Sequence, residues 1–268
     1  MKFLKKPPLP KRNPWGKKGD NGRVLVVGGS PEYIGAVALA GLAALRCGAD
    51  WVTVAAPEKV GWAINCLTPD LVVRKLKGKR FGSGHLNPVL ELAEKHDVIV
   101  LGNGIGMEAR SFVKRFVKRC KKPMVIDADA LKVIAISDVR NAILTPNLHE
   151  YELLLKNSRV KNKKGLQKKM GNNILILKGP RREVITPESV EIATTGNAGL
   201  TKAGTGDVLA GLCAGFYGQT QDLLWAARLA AYYTGVLGDV LLKKKKGFTF
   251  LASDLAEEAK RLTDSLRT

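Results

Sequence analysis

Acidic residues are scarce in this chain of 268 residues: 24 Asp and Glu stand against 44 Lys and Arg, a formal net charge of +20. A surplus of that size raises nucleic acid as a partner. Aromatics are scarce too, at 6%, and they do not interleave with basic runs such as Lys161–Lys164 and Lys243–Lys246. Stacking on single strands needs that interleaving. No specific nucleic-acid partner is therefore expected, and a basic surface attracts phosphorylated nucleotides equally well. No apolar run reaches about 18 residues, so no membrane partner is expected. The basic N-terminus lacks the apolar centre of a secretory signal. Its prolines read as an extended arm over residues 1–14. The four cysteines, Cys47, Cys66, Cys120 and Cys213, stand far apart, with no Cys-x-x-Cys pair and no neighbouring histidine. That spacing argues against a zinc site. Cys47 and Cys213 fall in apolar helical runs and read as buried thiols, which suits a reducing, cytoplasmic setting.

What is present is 45% apolar, enough for a folded chain, and residues 15–268 read as one domain. Short β-branched runs alternate with helical patterns. Strands are expected at 23–29, 51–56, 97–101, 124–127, 142–145 and 174–178, with a hairpin at 183–186 and 190–193. Helices are expected at 36–47, 58–66, 87–95, 108–120, 148–156, 207–217, 221–241 and 251–265. Continuous apolar strands alternating with helices predict an α/β fold, a mostly parallel central sheet with helices on both faces. Ligands in such sheets bind outside the carboxyl ends of the strands.

Several punctuated loops fall at those ends. Gly28-Gly-Ser30 reads as a phosphate loop or a tight turn. Gly102-Asn-Gly-Ile-Gly106 allows close approach of a ligand, or simply turns tightly into a helix. Asp127 and Asp129 could hold Mg²⁺ directly or through water; Asp129 is the better helix cap and Asp127 the better site residue. Asn147 and Glu150 have capping-box spacing. Lys178 ends a strand, where a lysine can meet a phosphate or lie in solvent. The segment from Thr195 to Asp207 carries more small and glycine residues than a turn needs. It leaves open N–H groups at a helix start, where an anion binds, and it ends in an acid. An anion cradle beside a base suits a hydroxyl attacking a phosphoryl group.

These residues, in this order, resemble the ADP/ATP-dependent NAD(P)H-hydrate dehydratases of the ribokinase-like superfamily. The resemblance rests on Lys18-Gly-Asp-Asn-Gly-Arg-Val-Leu-Val-Val-Gly-Gly-Ser30, on Gly35-Ala36 with Arg46-Cys-Gly-Ala49, on Leu101-Gly-Asn-Gly-Ile-Gly106, and on Gly196-Asn-Ala-Gly199 with Ala203-Gly-Thr-Gly-Asp-Val-Leu-Ala-Gly211. It implies a ribokinase-like fold and dehydration of the S epimer of NAD(P)H hydrate, with ADP or ATP consumed to AMP or ADP and phosphate. It implies that Asp207 contacts the 6-hydroxyl of the hydrated ring and acts as base. Gly204, Thr205 and Gly206 would form the anion hole, and Lys178, Gly179, Pro180, Arg181 and Arg182 would line the nucleotide. Ala36, Gly104, Gly106, Asn147 and Asn197 would contact the hydrated dinucleotide. Mg²⁺ would accompany the nucleotide, with no side chain assigned as its direct ligand. Homo-oligomers, tetramers by family habit, are implied as well. Asn147 departs from the family's T-P-H-P-G-E run, where this chain reads Thr145-Pro-Asn-Leu-His-Glu150; related kinases use Asn there. A vitamin-type alcohol kinase of the same fold is the alternative. Many relatives are fused to an epimerase domain, which this length does not supply, so the chain is expected to act alone on one epimer.

Overall fold

The structure, a computed structural model, describes residues 2–264. The chain begins with β1 (Lys2–Phe3), β2 (Arg23–Val27), α1 (Ile34–Arg46), β3 (Trp51–Pro57), α2 (Glu58–Leu67) and β4 (Val72–Leu76). It continues through α3 (Leu86–Glu94), β5 (Val98–Leu101), α4 (Arg110–Arg119), β6 (Met124–Ile126), β7 (Ala142–Leu144), α5 (Leu148–Asn157) and α6 (Lys163–Gln167). Then come β8 (Ile174–Leu177), β9 (Arg182–Ile185), β10 (Val190–Ala193), α7 (Thr205–Thr220), α8 (Leu223–Lys244), α9 (Ala252–Glu258) and α10 (Arg261–Asp264).

The strands form one 10-stranded sheet in the order β1-β10-β9-β8-β7-β6-β5-β2-β3-β4. From β8 to β4 all pairings are parallel; β9 runs antiparallel to both β8 and β10. The expected mostly parallel sheet and its hairpin are therefore present. Alternation along the central strands explains why they read as unbroken apolar runs. Val24 and Val26 enter a core with α1, α7 and α8, while Leu25 and Val27 enter a second core with α3 and α4 on the other face. A strand buried on both faces has no polar position to spare.

Two expectations are corrected, and one strand is found that the sequence does not announce. The 1–14 arm is more than an extended cover: Lys2 and Phe3 pair with Glu191 and Ile192 as a parallel edge strand. Leu4 behind them is buried, and the carbonyl of Pro7 accepts from the buried Tyr233 hydroxyl at 3.0 Å. β4 went unread because Val72, Arg74 and Lys75 form a partly exposed edge strand, without the apolar run of an inner one. The helix expected over 251–265 ends at Glu258 and resumes at Arg261, and residue 265 lies outside the described residues.

β2 stands at a reversal of strand order. Its neighbours are β3, which follows it in the chain, and β5, which comes after β4. Such a switch point opens a crevice at the carboxyl ends of the two strands. Here the Gly28–Gly29 turn meets the β5 loop, and the N–H of Gly29 donates to the carbonyl of Asn103 at 2.9 Å.

Candidate active site

Asp207 lies in the first turn of α7, and Gly204 precedes that helix with φ 89°. This left-handed conformation strains any residue with a Cβ. A Cβ at Gly204 would also lie 2.8 Å from both Leu39 and Ala252. Glycine is thus required to turn the loop into the helix. The first N–H groups of a helix have no helical partner, which leaves those of Gly206 and Asp207 at the positive end of the α7 dipole. Thr205 is tied back into the loop instead: its hydroxyl lies 2.7 Å from the carbonyl of Leu200 and its N–H donates to Lys202.

Asn103, in the glycine loop after β5, joins two carboxylates. Its amide nitrogen donates to Asp207 Oδ1 at 2.6 Å and to Asp127 Oδ2 at 3.0 Å. Asp127 Oδ1 accepts from the Thr145 hydroxyl at 2.8 Å and pairs with Lys178 Nζ at 2.7 Å. Lys178 Nζ also lies 3.7 Å from Glu150. A Cβ at Gly206 would come within 3.1 Å of Lys178 Nζ, so the ammonium lies beside the start of α7. Residues from β5, β6, β7 and β8 and the α7 terminus thus converge at one sheet edge, because parallel neighbours present the same end.

The electrostatics follow from this packing. Burial raises the Asp207 pKa from 3.8 to about 7, and the Asp127 charge adds to it; the Asn103 hydrogen bond and Lys178 oppose the rise. Burial likewise raises Glu150. For Lys178 burial is the largest influence and acts downward, but the Asp127 and Glu150 charges outweigh it and the net shift is upward. The site therefore holds a permanent cation beside an acid poised near neutrality, the condition a general base requires.

The other expected residues are placed as follows. Asn147 caps α5 in a reciprocal box: Oδ1 accepts from Glu150 N at 2.9 Å, and Glu150 Oε2 accepts from Asn147 N at 2.8 Å. Asn197 accepts from Gly199 N and donates to Asp239 Oδ1, both at 3.0 Å. Gly104 packs against Tyr33 and Ala36, which brings the two expected substrate contacts together. The Gly106 N–H donates to Asp129 Oδ2 at 3.0 Å. Asp129 is therefore not the cap that its position predicts. It pairs with Lys132 at 2.7 Å, and the left-handed Ala128, φ 52°, bends the chain between the two acids so that they serve different loops. Gly179, Pro180 and Arg181 form an exposed turn after β8. Arg182 departs from this group. It is buried in β9, where its guanidinium donates to the carbonyls of Ala231 at 2.9 Å and Thr195 at 3.5 Å. Its side chain belongs to the framework under the loop.

Three residues of the site were missed. In the sequence Asn103 reads only as part of a glycine loop, and an amide set between two glycines is the one local signal it gives. Glu150 was read only as a cap. Asp239, on α8, accepts from Gly196 N at 2.9 Å and from Asn197, and so anchors the loop before α7; nothing local marks it. Three large apolar residues, Tyr33, Met107 and Leu148, are exposed; Tyr33 adjoins Gly104, and the other two follow Gly106 and Asn147 in sequence.

Fold and site together define a ribokinase-like protein, with an aspartate at a glycine-built helix start. The family model described as NAD(P)H-hydrate dehydratase matches residues 24–261, and the chain belongs to that family. It is 38% identical to a bifunctional NAD(P)H-hydrate repair enzyme of Methanothermobacter thermautotrophicus, over 93% of this chain and 51% of that protein. The chain thus spans about half the length of that relative. It is 34% identical to the ADP-dependent (S)-NAD(P)H-hydrate dehydratase of Natrialba magadii, over 89% of this chain and 91% of the other. The crystal structure of the Bacillus subtilis ADP/ATP-dependent NAD(P)H-hydrate dehydratase, co-crystallized with ATP and Mg²⁺, shares the fold with TM-score 0.79 at 24% identity, covering 98% and 97% of the two chains.

Proposed function

We propose that the chain dehydrates the S epimer of NAD(P)H hydrate, consuming ADP or ATP and restoring NAD(P)H. The observation that carries this reading is the aspartate of α7, with a pKa of about 7, at a helix start that offers N–H groups to an anion. Asp207 in its ionised form takes the proton of the ring's 6-hydroxyl. That oxygen attacks the terminal phosphorus of the nucleotide, whose bridging P–O bond breaks to release AMP from ADP or ADP from ATP. The N–H groups of the α7 start and Lys178 hold the transferred phosphoryl group. The ring now carries a phosphate ester at the former hydroxyl carbon. The lone pair of the ring nitrogen expels inorganic phosphate, and loss of a proton from the adjacent carbon restores the dihydronicotinamide. Positioning and exclusion of water supply most of what the protein contributes.

The residues also suit Mg²⁺ held mainly by nucleotide phosphates. Among the described residues no three His, Cys, Asp or Glu form a metal cage. Asn103 Oδ1, however, is buried without a hydrogen-bond partner, close to Asp127. An oxygen set of this kind fits a hydrated ion that keeps most of its waters. Bound there, Mg²⁺ would neutralise charge on the phosphates. Ala36, Gly104, Gly106 and Asn147 would face the dinucleotide, and Gly179–Arg181 the nucleotide.

The test is a spectrophotometric assay of S-NAD(P)H hydrate with ADP and ATP in parallel. Rising absorbance of the reduced nicotinamide together with free phosphate is expected. Accumulation of a phosphorylated alcohol without free phosphate would instead identify a kinase of the same fold.

A further inference from the structure

A cavity of about 570 Å³ opens at the amino ends of β2, β3 and β4, the sheet edge opposite Asp207. Four cations border it, Lys18, Arg23, Arg74 and Lys95. None of them is within ion-pair distance of a carboxylate among the described residues, whereas fifteen such pairs occur elsewhere. The nearby acids are already engaged: Asp97 accepts from the backbone N–H of Arg23 at 2.7 Å, and Asp50 accepts from Arg12 and from the N–H groups of Gly19 and Asn21. Against these four cations stand Asp97 and an Asp50 already paired with Arg12, which leaves a net positive field that draws polyanions.

The wall of the cavity is aromatic, and it is held in place. Trp51 Nε1 donates to Thr53 Oγ1 at 3.0 Å. Thr53 Oγ1 lies 2.9 Å from His96 Nε2, and His96 Nδ1 lies 2.8 Å from the carbonyl of Leu92. The chain is satisfied throughout when His96 is neutral, with its proton on Nδ1. Burial, which lowers the His96 pKa, favours that form. Lys18 Nζ rests over the Trp51 ring, 4.2 Å from its centre, and this exposed side chain would swing off the π face when a ligand ring stacks there. A hydrogen-bonded indole under exposed, rearrangeable cations suits a ligand with a planar ring and phosphates. The volume falls in the range of small-ligand sites.

We propose that this cavity is a second, non-catalytic binding site for a nucleoside phosphate, its ring on Trp51 and its phosphates on Lys18, Arg74 and Lys95. The site lies apart from the α7 loop and takes no part in the chemistry proposed there.

Calorimetric titration with ADP tests it on the full chain. The wild-type protein is expected to bind two ADP per chain. Arg74→Glu combined with Lys95→Glu replaces exposed side chains, and is expected to bind one ADP per chain with turnover unchanged. Trp51→Ala is expected to weaken the second ADP roughly tenfold, as loss of one stacked base does, while inorganic tripolyphosphate binds both proteins equally. One ADP per wild-type chain that the double variant still binds, or an undiminished second ADP in the double variant, would overturn the proposal. Neither result bears on the dehydratase reading, which stands or falls on turnover.

Discussion

Asp207, the proposed base, carries a stability cost in its own burial. Its carboxyl titrates near pH 4 in an unfolded chain but at about 7 when folded. Between these values folding takes up a proton, so the contribution of Asp207 to stability falls as pH rises through that window. Asp207→Asn removes the buried charge and keeps an oxygen for Asn103. The variant is expected to lose turnover, yet to be more stable than wild type at pH 8, by an amount on the order of 1–3 kcal/mol; denaturant unfolding beside the assay checks both. The same value sets the pH dependence of activity. With Asp207 as the proposed base, only its ionised form would accept the proton, so kcat/KM is expected to rise through about pH 7. The Asn103 hydrogen bond lowers this pKa. Asn103→Ala should therefore displace the rise to higher pH as well as reduce the rate. A profile that stays in place would remove Asn103 from the role of positioning Asp207.

At the scale of elements, α7 carries the site only because it packs tightly on α1. A Cβ at Gly211 would come within 2.1 Å of the backbone oxygen of Ala40, a distance that only glycine permits. Gly211 lies one turn beyond Asp207 on the same helix. Gly211→Ala is expected to push α7 away from α1, destabilise the fold by roughly 1–3 kcal/mol, and raise KM for the nucleotide through displacement of the α7 start. A variant destabilised without any change in KM would separate the packing from the site. The loop before α7 has its own anchor. Asp239→Ala leaves the Gly196 N–H and one Asn197 N–H without their acceptor. Lower kcat/KM is expected, with the melting temperature also reduced, since each lost partner costs about 1 kcal/mol or more.

These elements also show where sequence patterns run out. β2, β5, β7 and β8 are unbroken apolar runs because both faces are buried, and such runs are read directly. β4 carries Arg74 and Lys75 on an exposed edge and gives no such signal. The site divides in the same way. Asp207 stands out because it ends a local motif of known chemistry, whereas Lys178 only ends a strand and reads equally as a phosphate contact or a solvated lysine. The links that tune Asp207 are long-range: Asn103 reaches it across 104 positions of sequence, and Lys178 reaches Asp127 across 51. Only the parallel order of β5, β6, β7 and β8 brings them together, and no local spacing encodes that order. Arg182 shows the reverse error. It continues a nucleotide-lining segment in sequence, yet the first residue of β9 faces the buried backbone of α8.

At the scale of the whole molecule, the two ends of the sheet divide the work. The carboxyl edge gathers the groups proposed to react, and the opposite edge gathers cations that have no ion pair among the described residues, around Trp51. The N-terminal segment closes the far flank of the sheet. Leu4 donates to the carbonyl of Ile192 at 2.8 Å, Lys2 pairs with the largely buried Glu191 at 2.7 Å, and Pro7 and Pro8 accept from Tyr233 and Trp225. Glu191 is held below its ordinary pKa chiefly by its hydrogen bond to Arg228, with Lys2 contributing. Removing residues 1–8 would expose the β10 edge, uncover the seat of Leu4 and leave the buried Tyr233 hydroxyl without an acceptor. Together these losses are expected to lower stability by roughly 2–4 kcal/mol. The segment touches α8 and β10, while Asp207 stands on α7 and Asn103 and Lys178 just beyond the ends of β5 and β8. Turnover at moderate temperature should therefore be retained while the melting temperature falls. Loss of turnover in a still-folded truncated protein would show that the arm reaches the site through α8, by way of Asp239 and the loop it anchors.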